Sequence, residues 1–198
     1  MRANEIIAHL RLRLKDNNFK DYELSDELFL SYINLFVNDF LREFELNIVH
    51  FEKYLESKKE LILNFEPLKI YGIFLNDQAL TFLSLSLALK KKMNGFFCYE
   101  KRAGIIGFNK EVSGNFELFA SKTARILSVD DDLILDESFF SLLVLSVEIE
   151  ILQMQALPEN ISKLSYLYKV KESKKDEIIS ALNARRTPNS FKSPFIKV

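Results

Sequence analysis

The residues whose types and spacing come closest to catalytic chemistry are acidic. Asp130, Asp131 and Asp132 are consecutive, and the apolar run that follows carries Glu148 and Glu150. Carboxylates that converge from several elements hold the divalent cations of two-metal nucleases and phosphatases. The spacing here argues against such a centre. Neighbours in an extended segment point to alternate sides, and Glu148 lies about 18 Å beyond Asp136 if the intervening residues are helical. Glu148 and Glu150 differ by two positions, which sets them on separate faces of one helix. The pattern predicts a polar loop entering a helix, with Asp136 and Glu137 stabilising the helix N-terminus.

Other chemistry is sparser. His9 and His50 are the only histidines, and neither has a Cys, Asp or Glu at a repeated ligand spacing. Cys98 is the single cysteine, so no internal disulfide is possible, and its setting in Phe96-Phe97-Cys98-Tyr99 is that of a small buried hydrophobe. Gly104-Ile105-Ile106-Gly107 lacks the trailing glycine and lysine of a phosphate loop, and no serine occupies a G-x-S-x-G elbow. The residues therefore predict no enzyme, no metal site and no cofactor.

The elements that carry these residues follow from periodicity. Residues 4–15 read as a short helix with Asn4 as N-cap and Ile7, Leu10 and Leu14 on one side. Ser25 caps a second helix with Asp26 and Glu27 in its first turn. There Leu28, Tyr32, Phe36, Phe40 and Phe44 recur every four residues beside Phe29, Ile33, Val37 and Leu41, while Asn34, Asn38, Asp39 and Arg42 fall away from the stripe. Such a stripe is core or a subunit interface, and Phe36, Phe40 and Phe44 are the candidates for a helix interface.

From Glu60 the period changes to that of strands. Residues 61–65 and 69–75 read as short strands on either side of Glu66-Pro67, and Leu83 to Leu89 (LSLSLAL) alternates. Asn94-Gly95 suits a tight hairpin, because both residues tolerate positive φ. Residues 96–100 and 105–108 continue an antiparallel meander, and 115–120 forms a further strand after Ser113-Gly114. From Asp136 the chain is helical again, and residues 139–154 are apolar on nearly every side, as a central helix requires. Pro158 ends that helix. A last one starts near Asn160, is interrupted by the wholly polar 171–177, and resumes at Ile178, Ile179 and Leu182. The expected fold class is α+β: an N-terminal helix pair, a central antiparallel β region at about 60–127, and a C-terminal helical hairpin with an extended tail. Residues 1–184 make a single domain, and 185–198 an extended arm.

Composition sets the outer bounds. The 198 residues are 48% hydrophobic and 28% charged, with a formal net charge of −1, which is a folded protein with no global pull toward DNA or an anionic membrane. The N-terminal stretch has charges throughout and no apolar core of the signal-peptide kind, and the longest apolar runs are too short to span a bilayer. Charge is nevertheless unevenly spread. Residues 163–198 carry nine basic groups against Glu172, Asp176 and Glu177, a balance of +6, so the rest carries −7. Beyond Glu177 there is no acid. A basic, aromatic-bearing, proline-punctuated tail is suited to lie across an acidic partner or near nucleic acid.

The order of elements, with Asp132-Leu133-Ile134-Leu135-Asp136-Glu137-Ser138-Phe139 opening a buried helix and LSDELFLSYINLFVNDFLREFE near the start, resembles the head-to-tail adaptor (connector) proteins of tailed bacteriophages. Asp136 stands where that family usually has proline, and the strand-rich middle is longer than in the family. The resemblance covers the first helix pair and the last third of the chain. It implies a structural virion component at the head-tail junction, held in the host cytoplasm before assembly. It further implies a homo-oligomeric ring, commonly twelvefold, on the portal protein, extending the DNA channel toward a tail or nozzle protein. Packaged DNA would pass without sequence-specific binding, and no membrane is involved. By the same resemblance Arg185, Arg186, Thr187, Pro188, Phe191 and Phe195 form the portal-docking arm. The alternative is a small intracellular protein- or ligand-binding module without catalytic activity, with LSLSLAL as a groove wall.

Overall fold

The computed structural model describes residues 1–15, 23–90, 96–155, 157–158 and 160–185. The fold is mixed α+β, with helices toward both ends of the chain and a sheet in its middle. The chain divides into two compact units: Met1–Phe40 with the chain from Ala124 onward, and Leu41–Thr123.

In the first unit, α1 (Ala3–Leu14) begins one residue earlier than its sequence signal. The N-cap is Arg2 and not Asn4. Glu5 accepts a hydrogen bond from the Arg2 backbone N–H at 2.9 Å, and this reach back from the third helical position defines the helix start. Asn4 lies inside the helix, and its backbone N–H donates to the Val129 carbonyl at 2.8 Å. Helix α2 (Asp26–Glu43) follows, with the Leu28 N–H donating to Ser25 Oγ at 3.3 Å. Phe29, Ile33, Val37 and Phe40 are buried, as the stripe predicts.

Asn34 and Asn38 do not face away. Each grips the main chain of the segment leading from the sheet to the C-terminal helices. Asn34 Nδ2 donates to the Ile126 carbonyl at 2.7 Å and its Oδ1 accepts from the Ile126 N–H at 2.8 Å. Asn38 does the same to Ala124, at 2.9 Å in both directions. Four paired backbone groups depend on these two amides, so Asn34→Ala and Asn38→Ala should each lower stability by about 1–3 kcal/mol, measured by urea denaturation. A loss below about 0.5 kcal/mol would mean that water replaces them.

A 3₁₀ turn at Glu137–Phe139 leads into α3 (Phe140–Gln155). Residues Leu142 to Ile149, with Ile151 and Leu152, are buried, which is why no single apolar face can be picked out in the sequence. After Pro158, α4 runs without a break over Asn160–Arg185. The expected interruption at 171–177 is absent, because those residues are good helix formers and the helix needs only one packed face. That face is marked by the buried Leu167 and Ile178, three turns apart. Leu167 joins Leu145, Ile149 and Leu152 in one cluster, and Gln153 Nε2 donates to the Tyr168 hydroxyl at 2.8 Å.

The second unit is a six-stranded sheet. Its strands are β1 (Ile48–Ile62), β2 (Pro67–Leu75), β3 (Gln78–Ala79), β4 (Thr81–Leu83), β5 (Phe97–Arg102) and β6 (Ile105–Lys122). β6 is the organising strand: β1 pairs antiparallel along most of it, β5 with its first residues and β2 with its last. The core under the sheet includes Leu55, Ile73, Ile106, Phe108, Phe116 and Leu118.

Three stretches of this unit depart from their sequence pattern. Sheet structure starts at Ile48 and not near residue 60. LSLSLAL is no strand: β4 ends at Leu83, and Leu85–Lys90 form a short helix, so that β4 and β5 lie parallel and not in a meander. Leucine, alanine and lysine favour the helix, while the alternation of Leu with Ser imitates a strand. Ser113-Gly114 is not a turn before a new strand but an irregularity inside β6, with Gly114 at φ +132°. The Asn94-Gly95 turn falls outside the described residues.

Candidate functional site

The acidic triplet is resolved into three separate local tasks. Asp131 accepts backbone hydrogen bonds from Ser128 at 2.9 Å and Leu127 at 2.8 Å. Asp130 receives the Asn4 side-chain amide at 3.4 Å, and Asp132 lies 3.6 Å from Arg2 Nε. The backbone of the same loop is stitched to the start of α1: Ala3 N–H donates to the Asp131 carbonyl at 3.1 Å and Leu133 N–H to the Met1 carbonyl at 2.9 Å. Among the described residues, no group of three or more His, Cys, Asp or Glu side chains is arranged to hold a metal ion.

The hydrogen bonds from Ser128 and Leu127 favour the charged form of Asp131 and hold its pKa below the ordinary aspartate value. The sign is that of a depressed acid. Its contribution is fully present above the unfolded value of about 3.9 and is lost as pH falls through the lower folded value. Asp131→Asn should therefore flatten the acid limb of the stability curve below about pH 4. An unchanged limb would show that the loop does not hold in solution.

Asp136 is the N-cap, accepting from the Ser138 backbone N–H at 2.8 Å and from the Ser138 hydroxyl. Its pKa is also lowered, first by the Ser138 hydroxyl and further by Arg185. Glu148, by contrast, is buried in α3 and held by Arg13 Nε at 2.6 Å and Lys163 Nζ at 3.0 Å, a network joining α1, α3 and α4. Arg11 is likewise buried, with Nη1 donating to the Leu24 carbonyl at 3.0 Å and Nη2 2.6 Å from Asp26. Neither network has a signal in the sequence beyond a charge on an otherwise apolar helix face.

His9 meets Phe140 edge-on at 5.0 Å, and His50 stacks on Phe119 at 4.4 Å with Nε2 3.1 Å from Glu117. Cys98 is fully buried, and burial pushes its thiol up to about 12. Phe36, Phe40 and Phe44 are buried within the chain; Phe36 and Phe40 are 6.3 Å apart, and Phe40 is 6.1 Å from Phe139. Of the arm, Arg185 ends α4 with Nη1 3.6 Å from Asp136. Arg186, Thr187, Pro188, Phe191 and Phe195 lie outside the described residues.

Two features of the first unit can meet a partner. One is α4, where Ile161, Tyr166, Tyr168 and Ile179 are exposed beside its packed face. The other is a groove made of two adjoining hollows that share Phe140 and Ser141. The first, about 330 Å³, is bounded by Met1, Glu5 and Glu137. The second, about 350 Å³, has apolar walls at Val144, Leu145 and Val170, with His9, Arg13 and Lys174 at its rim.

No family model matches the chain, and no curated protein is significantly similar to it in sequence. No helix among the described residues is long and apolar enough to cross a membrane.

Proposed function

We propose that the protein is a non-catalytic assembly subunit, a head-to-tail adaptor of the tailed-bacteriophage kind. In this reading its copies form a ring, twelvefold in the family it resembles, on the portal at the head-tail junction, and pass the DNA channel on to a tail protein. The observation that carries the reading is α4: one face is packed, aromatic and aliphatic side chains remain exposed on the others, and the helix leads directly into the basic C-terminal segment. Exposed aromatics beside basic groups are the usual anchors of a protein interface. The near-neutral net charge suits a channel through which DNA must slide without being held.

The test is to mix the full-length protein with a candidate portal protein from the same genome and weigh the complex by native mass spectrometry. A ring on the portal is expected from the natural sequence, with binding lost in Phe191→Ala/Phe195→Ala and weakened in Arg185→Glu/Arg186→Glu. No complex, or equal binding by these variants, would sink the proposal. The groove favours a second reading, an intracellular protein- or ligand-binding module. Under it, substitutions in the groove abolish binding and the arm variants bind normally.

A further inference from the structure

We propose that the groove between α1, α3 and α4 is the docking site of the chain's own C-terminal segment, residues 186–198, in the free subunit. Three observations point to this occupant.

The first is where the segment starts. The ion pair of Arg185 with Asp136 brings the end of α4 back to the start of α3, one residue from Glu137 at the groove's first hollow. Thirteen residues can reach about 43 Å when extended, whereas the groove from Glu137 to Val144 follows α3 for only about 10 Å. Length is therefore no obstacle.

The second is charge. The segment carries Arg186, Lys192 and Lys197 and no acid, while the first hollow is bounded by Glu5 and Glu137. The cations at the second hollow already have acidic partners: Arg13 is held by Glu148, and Lys174 by Glu177 at 2.6 Å. They oppose a basic segment less than free cations would.

The third is shape and polarity. Beyond the acidic mouth the walls turn apolar at Phe140, Val144, Leu145, Leu167 and Val170. The segment turns apolar in the same order, with Arg186 first and Phe191 and Phe195 after it. Docked in this way, the segment covers its own aromatic anchors until a partner draws it out. The contact belongs to the free chain, so it can be measured whether or not the portal assignment holds.

The test uses the full-length chain with Ser141→Cys and Ser190→Cys, in dilute solution under mild oxidation. Cys98 stays silent, being buried with its thiol pushed up to about 12. The control pair is Ser31→Cys with Ser190→Cys, because Tyr32 lies against Met154 at the far end of α3. An intramolecular disulfide is expected to close at least about 10-fold faster for 141/190 than for 31/190. Phe191→Ala/Phe195→Ala should bring the rate to the control value. Glu137→Lys and Arg186→Glu should each slow closure about 2- to 5-fold, and their combination should restore it. Equal rates for the two pairs, or no effect of the phenylalanine variants, would overturn the proposal. Predominantly dimeric products would also overturn it, by assigning the groove to a neighbouring copy's segment.

Discussion

A chain carrying both Arg13→Met and Lys163→Met should be about 3–5 kcal/mol less stable at neutral pH than the natural sequence. The reason is an asymmetry of exposure within one network. The Glu148 side chain is 1% exposed, whereas those of Arg13 and Lys163 are 42% and 40% exposed. Removing the two cations leaves a carboxylate in an apolar helix interior with nothing to offset its lost hydration. Removing the carboxylate instead, by Glu148→Gln, lets both cations turn to water and should cost clearly less. Either single cation variant should also cost less than the pair together, because the other cation still reaches the carboxylate.

The double variant has its own rescue. Adding Glu148→Met should recover most of the loss, as apolar replacement of whole buried ion networks generally does. Urea denaturation at pH 7 measures all five variants. A double variant that loses less than about 1 kcal/mol would show that water reaches Glu148.

The second large effect is expected at Gly114. It sits inside β6 at φ +132°, a conformation that side-chain-bearing residues rarely adopt, and an added Cβ would overlap the Asn76 side-chain amide. That amide is engaged, since Asn76 Oδ1 accepts from the Asn115 N–H at 2.9 Å while the Asn76 N–H donates to the Asn115 carbonyl at 2.8 Å. Gly114→Ala must strain the backbone and displace the amide together. The sum is about 2–4 kcal/mol, from 1–3 for the backbone and about 1 for the hydrogen bond. In an Asn76→Ala background the same substitution should cost less, because only the backbone term remains. A double-mutant cycle with no coupling between the two positions would refute the overlap.

Much of this architecture can be read from residue patterns, and the exceptions have definite causes. α2 and α3 announce themselves, one by a wide apolar stripe with a serine cap, the other by a run apolar on all sides. β1 does not, because from Glu52 to Glu60 only Leu55 is buried and the rest face solvent. A strand exposed on both faces has no alternation to detect. LSLSLAL fails in the opposite way, offering alternation without a strand. Asn34 and Asn38 look like ordinary surface residues because their partner is main chain, which has no sequence code. The groove is equally silent, being assembled from α1, α3 and α4 at positions far apart in the chain. Asp130, Asp131 and Asp132 prove legible as a loop, down to the capping role of Asp136 six residues beyond the first of them.

The paired asparagines of α2 act as a short vernier between two kinds of backbone. Four residues of helix advance about 6.0 Å, and two residues of extended chain about 6.6–6.8 Å. Two rungs absorb that difference, but a third would be out of step by more than a hydrogen bond tolerates, and Leu30 and Arg42 stand where the next rungs would fall. Because the rungs read only amide and carbonyl, they make no demand of their own on the side chains at 124 and 126 beyond excluding proline; the burial of Ile126 is a separate constraint. A helix bearing Asn at this interval is thereby a sequence-blind clasp for two alternate residues of any extended strand.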